Sequence, residues 1–142
     1  CMHQIISDFC SFYRDLDQKP LSQLKDIYSA DVRFCDPVHS IQGIDSLTRY
    51  FEDLTQQVKA CSFDIREISE TGNTAFVRWT MHLQHPKLKG GQAILVEGVS
   101  YLEFDAKITL HQDYFDLGAM LYEHLPVIGR LVKYVKSSLA AD

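Results

Sequence analysis

Two groups of residues in this chain could move protons. Asp36 stands before Pro37 at the end of the short apolar run Val32-Arg33-Phe34-Cys35, with His39 and Gly43 close behind. Much later, His111-Gln-Asp113-Tyr-Phe115-Asp116 gathers an imidazole, two carboxylates and two aromatic rings. A carboxylate moved from water into an apolar hollow is drawn towards the range useful for proton transfer, and an imidazole exchanges its proton near neutral pH. With Phe12, Phe34, Trp79 and Phe115 as walls, Asp36 would be the base. His111 would be its partner or the acid, and Asp113 would orient the imidazole. The competing reading makes Asp36 a turn residue whose carboxylate serves nearby backbone N–H groups. Asp113 has an alternative too, a buried ion pair with Arg78 on a neighbouring strand.

The elements that must position these groups follow from periodicity. Apolar residues at three- and four-residue steps predict an amphipathic helix over Met2 to Leu16 and a second, shorter one over Leu21 to Tyr28. A strand over Val32 to Cys35 is closed by Asp36-Pro37, since proline removes a ladder donor. Gly43 opens a third helix, Ile44 to Gln57, for which Asp45 or Ser46 could cap. The period then changes to two. Strands are predicted over Cys61 to Ile68 and Thr74 to Gln84 around a turn at Glu70 to Asn73, and over Gln92 to Phe104 and Lys107 to Phe115. In the last strand, alternation puts Thr109, His111, Asp113 and Phe115 on one face and Ile108, Leu110, Gln112 and Tyr114 on the other.

The fold class is therefore α+β, with three helices packed on a curved, mostly antiparallel sheet. A single domain spans 1–142, and 117–142 form a helical C-terminal extension. There Ala119 to Leu125 reads as a turn or two, and Pro126 begins a last helix with Val127, Ile128, Leu131, Val132, Val135 and Leu139 on one side. That stripe could cap the open end of the sheet, pack on a second subunit or lie on a membrane surface.

At 142 residues and 46% hydrophobic content, the chain can bury one sizeable core. A net charge of −5 argues against nucleic acid as a partner. Cys1, Cys10, Cys35 and Cys61 show no metal-ligand spacing, and His39, His82, His85 and His124 are scattered. Neither a metal nor a cofactor is predicted. No apolar run has the length of a membrane span, and the expected location is cytoplasmic. Apolar residues on both sheet faces, such as Val77, Trp79 and Met81 against Phe76, call for cover on the outer side, and a homodimer is the simplest closed arrangement.

The run Tyr28-Ser-Ala-Asp-Val-Arg-Phe-Cys-Asp36-Pro37 with Gly43, the segment Phe76-Val-Arg-Trp79, and the closing strands Val99 to Asp105 and Ile108 to Asp116 resemble the nuclear transport factor 2-like superfamily. Ketosteroid isomerase and the SnoaL-like polyketide cyclases belong to it. The resemblance covers residues 1 to about 116 and implies a cone-shaped fold. It also implies that Asp36 occupies the place of the isomerases' general base, and that Tyr13 lies near the tyrosine donating to the developing oxyanion. Ser100 falls where the isomerases keep a second, acidic donor; a serine cannot replace a protonated acid, which argues against a ketosteroid substrate. The His111 and Asp113 pair looks like the SnoaL-like branch. What the resemblance implies is a pocket for a small, largely apolar molecule and a cofactor-independent isomerase, cyclase, dehydratase or hydrolase. A non-catalytic ligand-binding or dimeric scaffold module is the alternative, and a peptide-recognising adaptor rests on fold analogy alone.

Overall fold

The computed structural model describes residues 2–87, 89–116, 118 and 128–140. Its centre is a six-stranded sheet formed by β1 (Tyr28–Cys35), β2 (Ser40–Gln42), β3 (Ala60–Thr71), β4 (Thr74–Gln84), β5 (Ala93–Phe104) and β6 (Ile108–Phe115). The spatial order is β2-β1-β6-β5-β4-β3, and every pairing is antiparallel except β1 with β6. Three helices precede or interrupt the sheet: α1 (Gln4–Arg14), the single turn α2 (Leu24–Ile27) and α3 (Ile44–Gln57). A fourth, α4 (Ile128–Ala140), follows it.

Helices and sheet meet where their apolar faces demand. Ile6, Phe9, Phe12 and Tyr13 of α1 and Leu47 and Phe51 of α3 are buried together with Val77 and Trp79 of β4, Val96 and Leu102 of β5 and Ile108 of β6. At about 25 cal/mol per Å² of apolar surface removed from water, burial of each large side chain contributes roughly 1.5–3 kcal/mol, which holds the helices against the sheet. The outer face keeps Phe76, Leu95 and Tyr114 exposed.

Several elements differ from the sequence expectation. The helix expected over Leu21 to Tyr28 is a 3-10 turn at Leu21–Gln23 followed by one α-turn, and Tyr28 already belongs to β1. Strand β2 is a finding: its three residues are too few to show a period. It forms because the Asp36 turn folds the chain back on itself, pairing Cys35 with Ser40, while the Gly43 N–H reaches the Val32 carbonyl at 2.7 Å. No side chain caps α3; Gly43 fills the cap position with φ +90°, a conformation open to glycine. In β6 the expected alternation breaks at its start. Pairing slips between Glu103 and Phe104, so Ile108 is buried like His111 rather than opposite to it.

The segment expected at Ala119 to Leu125 and the helix start at Pro126 lie outside the described residues. Within α4, Leu131, Val135 and Leu139 are exposed, and the Lys136 ammonium donates to Asp116 Oδ2 at 2.8 Å. Among the described residues no helix is long and apolar enough to cross a membrane.

Candidate functional site

The helices and the concave face of the sheet leave a cavity of about 570 Å³ between them. That is the size of a site for a drug-sized molecule. Phe34 of β1, Phe51 of α3, Phe63 of β3, Trp79 of β4 and Phe115 of β6 supply aromatic walls. Tyr13 and Asp113 are the polar groups set among them, and Asp36, His39, Asp53, His85 and Lys87 also line the space.

Beneath one wall runs a continuous buried chain of hydrogen bonds. The hydroxyls of Tyr13 and Tyr28 lie 2.7 Å apart, and Tyr28 Oη is 2.7 Å from His111 Nδ1. His111 Nε2 is 2.6 Å from Asp113 Oδ1. The same carboxylate oxygen accepts from Ser100 Oγ at 2.5 Å, and Ser100 Oγ in turn accepts from Trp79 Nε1 at 2.9 Å. Sheet register builds this row: Phe34 lies across from His111 in the parallel pair, and Ser100 lies across from Asp113 in the antiparallel one. His111 is 1% exposed, with the rings of Phe9, Tyr13 and Phe34 presenting edges to it and Tyr28 parallel to it. Among the described residues no buried side-chain nitrogen or oxygen lacks a partner. A fully satisfied polar network inside a core fixes one arrangement, whereas a half-satisfied one would cost several kcal/mol.

Asp113 is satisfied on one side only. Its Oδ1 holds both Ser100 and His111, while its Oδ2 has no hydrogen-bond partner among the described residues, and the residue lines the cavity. Asp36 is used differently. Its Oδ1 accepts from the backbone N–H of Val38 at 2.9 Å and of His39 at 2.7 Å, the His39 ring sits 3.1 Å from both oxygens, and the Tyr50 hydroxyl reaches Oδ2 at 3.4 Å. This is the turn geometry of an aspartate that closes a hairpin.

Burial acts on the other ionisable groups. It pushes the phenols of Tyr13 and Tyr28 well above their ordinary range, with the Asp113 charge adding to both. Burial raises Tyr50 too, followed by the nearby Asp36. The Cys61 thiol on the cavity wall is pushed up to about 12, first by burial and then by Asp17. These groups stay protonated and neutral across the physiological range.

Of the expected site residues, Tyr13, Phe34, Asp36, Trp79, Asp113 and Phe115 all line the cavity. His111 and Ser100 lie behind its wall, beside a void of about 10 Å³. Phe12 is buried in the core against Tyr13 and Phe51 and is not part of the lining. Arg78 points the other way: alternation along β4 turns Val77 and Trp79 inward, and Arg78 Nε pairs with Glu67 Oε1 at 3.4 Å on the outer face. The alternative of an Asp113–Arg78 pair is thereby corrected. The residue that sequence reasoning missed is Tyr28, taken for the end of a helix. Its role depends on the register of a parallel pair, for which no local pattern exists.

The strand order, the one parallel pairing and the cavity at the open end define the nuclear transport factor 2-like class of fold. Solved structures agree. A protein from Catenulispora acidiphila DSM 44928 with a ketosteroid isomerase-like fold, in complex with trimethylamine, matches with a TM-score of 0.75 and 15% identity over 89% of this chain and 96% of its own. A candidate SnoaL-like polyketide cyclase from Shewanella putrefaciens CN-32 gives 0.71 and 20% identity over 84% and 95%. AclR, a candidate hydroxylase from Streptomyces galilaeus, gives 0.69 and 18% over 97% and 90%. At these identities the likeness concerns the fold alone. No curated protein matches the sequence. The model of the SnoaL-like domain matches residues 11–111, and the chain belongs to that family.

Proposed function

We propose that this protein is a cofactor-independent acid–base enzyme that enolises a small, largely apolar carbonyl compound, as an isomerase, cyclase, dehydratase or hydrolase would. In this reading Asp113 carries the proton and Tyr13 faces the substrate oxygen. The observation that supports it is the asymmetry of Asp113: one oxygen is held by Ser100 and His111, the other has no hydrogen-bond partner among the described residues, and the side chain lines an aromatic cavity. A carboxylate so fixed meets the geometric demand on a general base, to be positioned while keeping a lone pair free. Asp36, expected from the sequence to be the base, has its oxygens engaged by the Val38 and His39 N–H groups, the His39 ring and the Tyr50 hydroxyl.

The test needs no knowledge of the final product. Wild-type protein incubated in D2O with a panel of cyclic ketones and β-diketones is expected to speed deuterium uptake at the carbon next to the carbonyl, followed by NMR. Asp113→Asn should slow that uptake by on the order of 10²-fold. Exchange no faster than in buffer across the panel, or a rate untouched in Asp113→Asn, overturns the reading.

A second reading, a ligand-binding module without turnover, is favoured by one observation. The Ser100 hydroxyl is spent on Asp113 and gives no second donor to a ligand oxygen. Tight binding of a panel member, read from Trp79 emission, without any exchange would select it. Either reading accommodates a homodimer through the exposed outer face that carries Phe76, Leu95 and Tyr114. Sedimentation at micromolar concentration giving the monomer mass would remove that assembly.

A further inference from the structure

We propose that Tyr28 and His111 form a proton wire behind the cavity wall, joining its two polar ends so that a bound carbonyl is enolised with no change in the net charge of the site. This rests on the acid–base reading above. Tyr13 and Asp113 line the cavity; Tyr28 and His111 do not, yet they connect the two through contacts of 2.7, 2.7 and 2.6 Å.

The direction of the chain is set by the imidazole. Each tyrosine has one hydroxyl hydrogen to give. When His111 carries a proton on Nε2 alone, that N–H donates to Asp113, Tyr28 donates to Nδ1, and Tyr13 donates to Tyr28. Tyr13 then offers the cavity only a lone pair. When both ring nitrogens are protonated, Nδ1–H donates to Tyr28, Tyr28 donates to Tyr13, and the Tyr13 hydrogen is free to point at a substrate oxygen. The groups facing the imidazole are Phe9 and Tyr13 from α1, Tyr28 and Phe34 from β1, and Asp113 from its own strand, with Ser100 of β5 behind that carboxylate. The titratable ones are therefore the members of the chain itself.

The balance closes on a carbonyl substrate. The reactive state pairs the Asp113 carboxylate with the His111 imidazolium. Asp113 Oδ2 takes the proton from the carbon next to the carbonyl, the C–H electrons form the C=C bond, and the carbonyl π pair moves to oxygen. That oxygen takes the Tyr13 proton; Tyr13 is reprotonated by Tyr28, and Tyr28 by Nδ1–H. The result is an enol, a neutral carboxylic acid and a neutral imidazole. An ion pair has been discharged and no isolated charge has been created, which matters in an apolar hollow where an uncompensated charge costs several kcal/mol. Tyr28 and His111 touch no substrate and are positioning residues.

The test is made without substrate, so its failure is separable from that of the exchange assay. Protein labelled with ¹³C at tyrosine Cζ and ¹⁵N in the histidine rings is titrated by NMR, with Tyr13 assigned from Tyr13→Phe. In wild type the Tyr13 signal is expected to step at the midpoint of the His111 ring. In Tyr28→Phe, which keeps the ring and removes the link, the His111 step remains and the Tyr13 step vanishes. A Tyr13 step that persists in Tyr28→Phe is transmitted through space and overturns the wire. So does a wild-type Tyr13 signal that ignores the His111 midpoint, a result that decides the matter even if the variant does not fold. A coupled titration in a protein without exchange activity supports the wire and removes only its use in enolisation.

Discussion

Gly98 lies directly across the β4–β5 ladder from Trp79, and the indole covers the space its absent side chain would fill. A Cβ at Gly98 would stand 2.7 Å from Trp79 Cζ2 and 2.8 Å from the Tyr114 carbonyl oxygen, far inside van der Waals contact. The cavity wall owes its flat aromatic surface to this glycine. It lets the indole lie over the strand and turn Nε1 to Ser100.

Gly98→Ala is therefore expected to displace the indole rather than be absorbed. The cost should be about 1–3 kcal/mol, as for other insertions into packed interiors. Urea unfolding checks the stability, and the emission maximum of Trp79, the single tryptophan of the chain, checks the displacement. An unmoved emission maximum with unchanged stability would show that the wall yields elsewhere.

Asp36 and Asp113 separate cleanly by substitution. Asp36→Asn keeps an acceptor oxygen for the Val38 and His39 N–H groups, so the expected loss is about 1 kcal/mol of stability, with α-deuteration within a few-fold of wild type. A fall on the order of 10²-fold would return the role of base to Asp36.

Ser100 links the indole to the carboxylate, and a double-mutant cycle reads that link. Ser100→Ala leaves Trp79 Nε1 without its acceptor and takes a donor from Asp113, for a cost of about 1–3 kcal/mol. Combined with Trp79→Phe, which removes the donor, the loss should be smaller than the sum by at least about 0.5 kcal/mol. Strictly additive losses in thermal unfolding would mean that the bond carries no energy of its own.

The alkaline limb of stability is set in part by Cys61. Its thiol is raised from an ordinary 9.0 to about 12, so the folded state holds a proton that the unfolded chain releases. The unfolded state binds fewer protons over that window, and the stability contributed is complete below pH 9 and declines as pH rises towards 12. Removing the thiol in Cys61→Ala should flatten the fall by up to about 1.4 kcal/mol per pH unit. Urea midpoints measured between pH 9 and 11 test the slope, whatever offset the lost packing adds. Parallel slopes would show that the thiol is not the titrating group.

What the sequence made legible is what repeats locally. The third helix and the second long strand follow their apolar periods end to end, at Ile44–Gln57 and Thr74–Gln84. The same alternation put Trp79 inward and exposed Phe76. The two readings of Asp36 were both visible, because an aspartate ahead of proline and glycine has donors within three residues. Illegible were the features that depend on non-local register. Tyr28 meets His111 only through the parallel β1–β6 pair, and the slip at Glu103 that buries Ile108 leaves no mark on the strand pattern. Ser100 was weighed as a donor to a ligand, whereas its hydroxyl serves a neighbouring carboxylate, a distinction that only coordinates supply.

The parallel pair has a consequence for how the molecule comes into being. Its strands belong to opposite ends of the sequence, and β6 must enter between β1 and β5, the most distant loop closure in the sheet. Such closures are entropically costly and slow, and they come late on the folding path. The Tyr28–His111 bond, the one link of the buried row that spans β1 and β6, waits for that closure. The continuous row is thus completed in that one closure, and a chain stalled before it would hold Tyr13 with Tyr28 on one side and His111 with Asp113 and Ser100 on the other, with nothing joining the two halves.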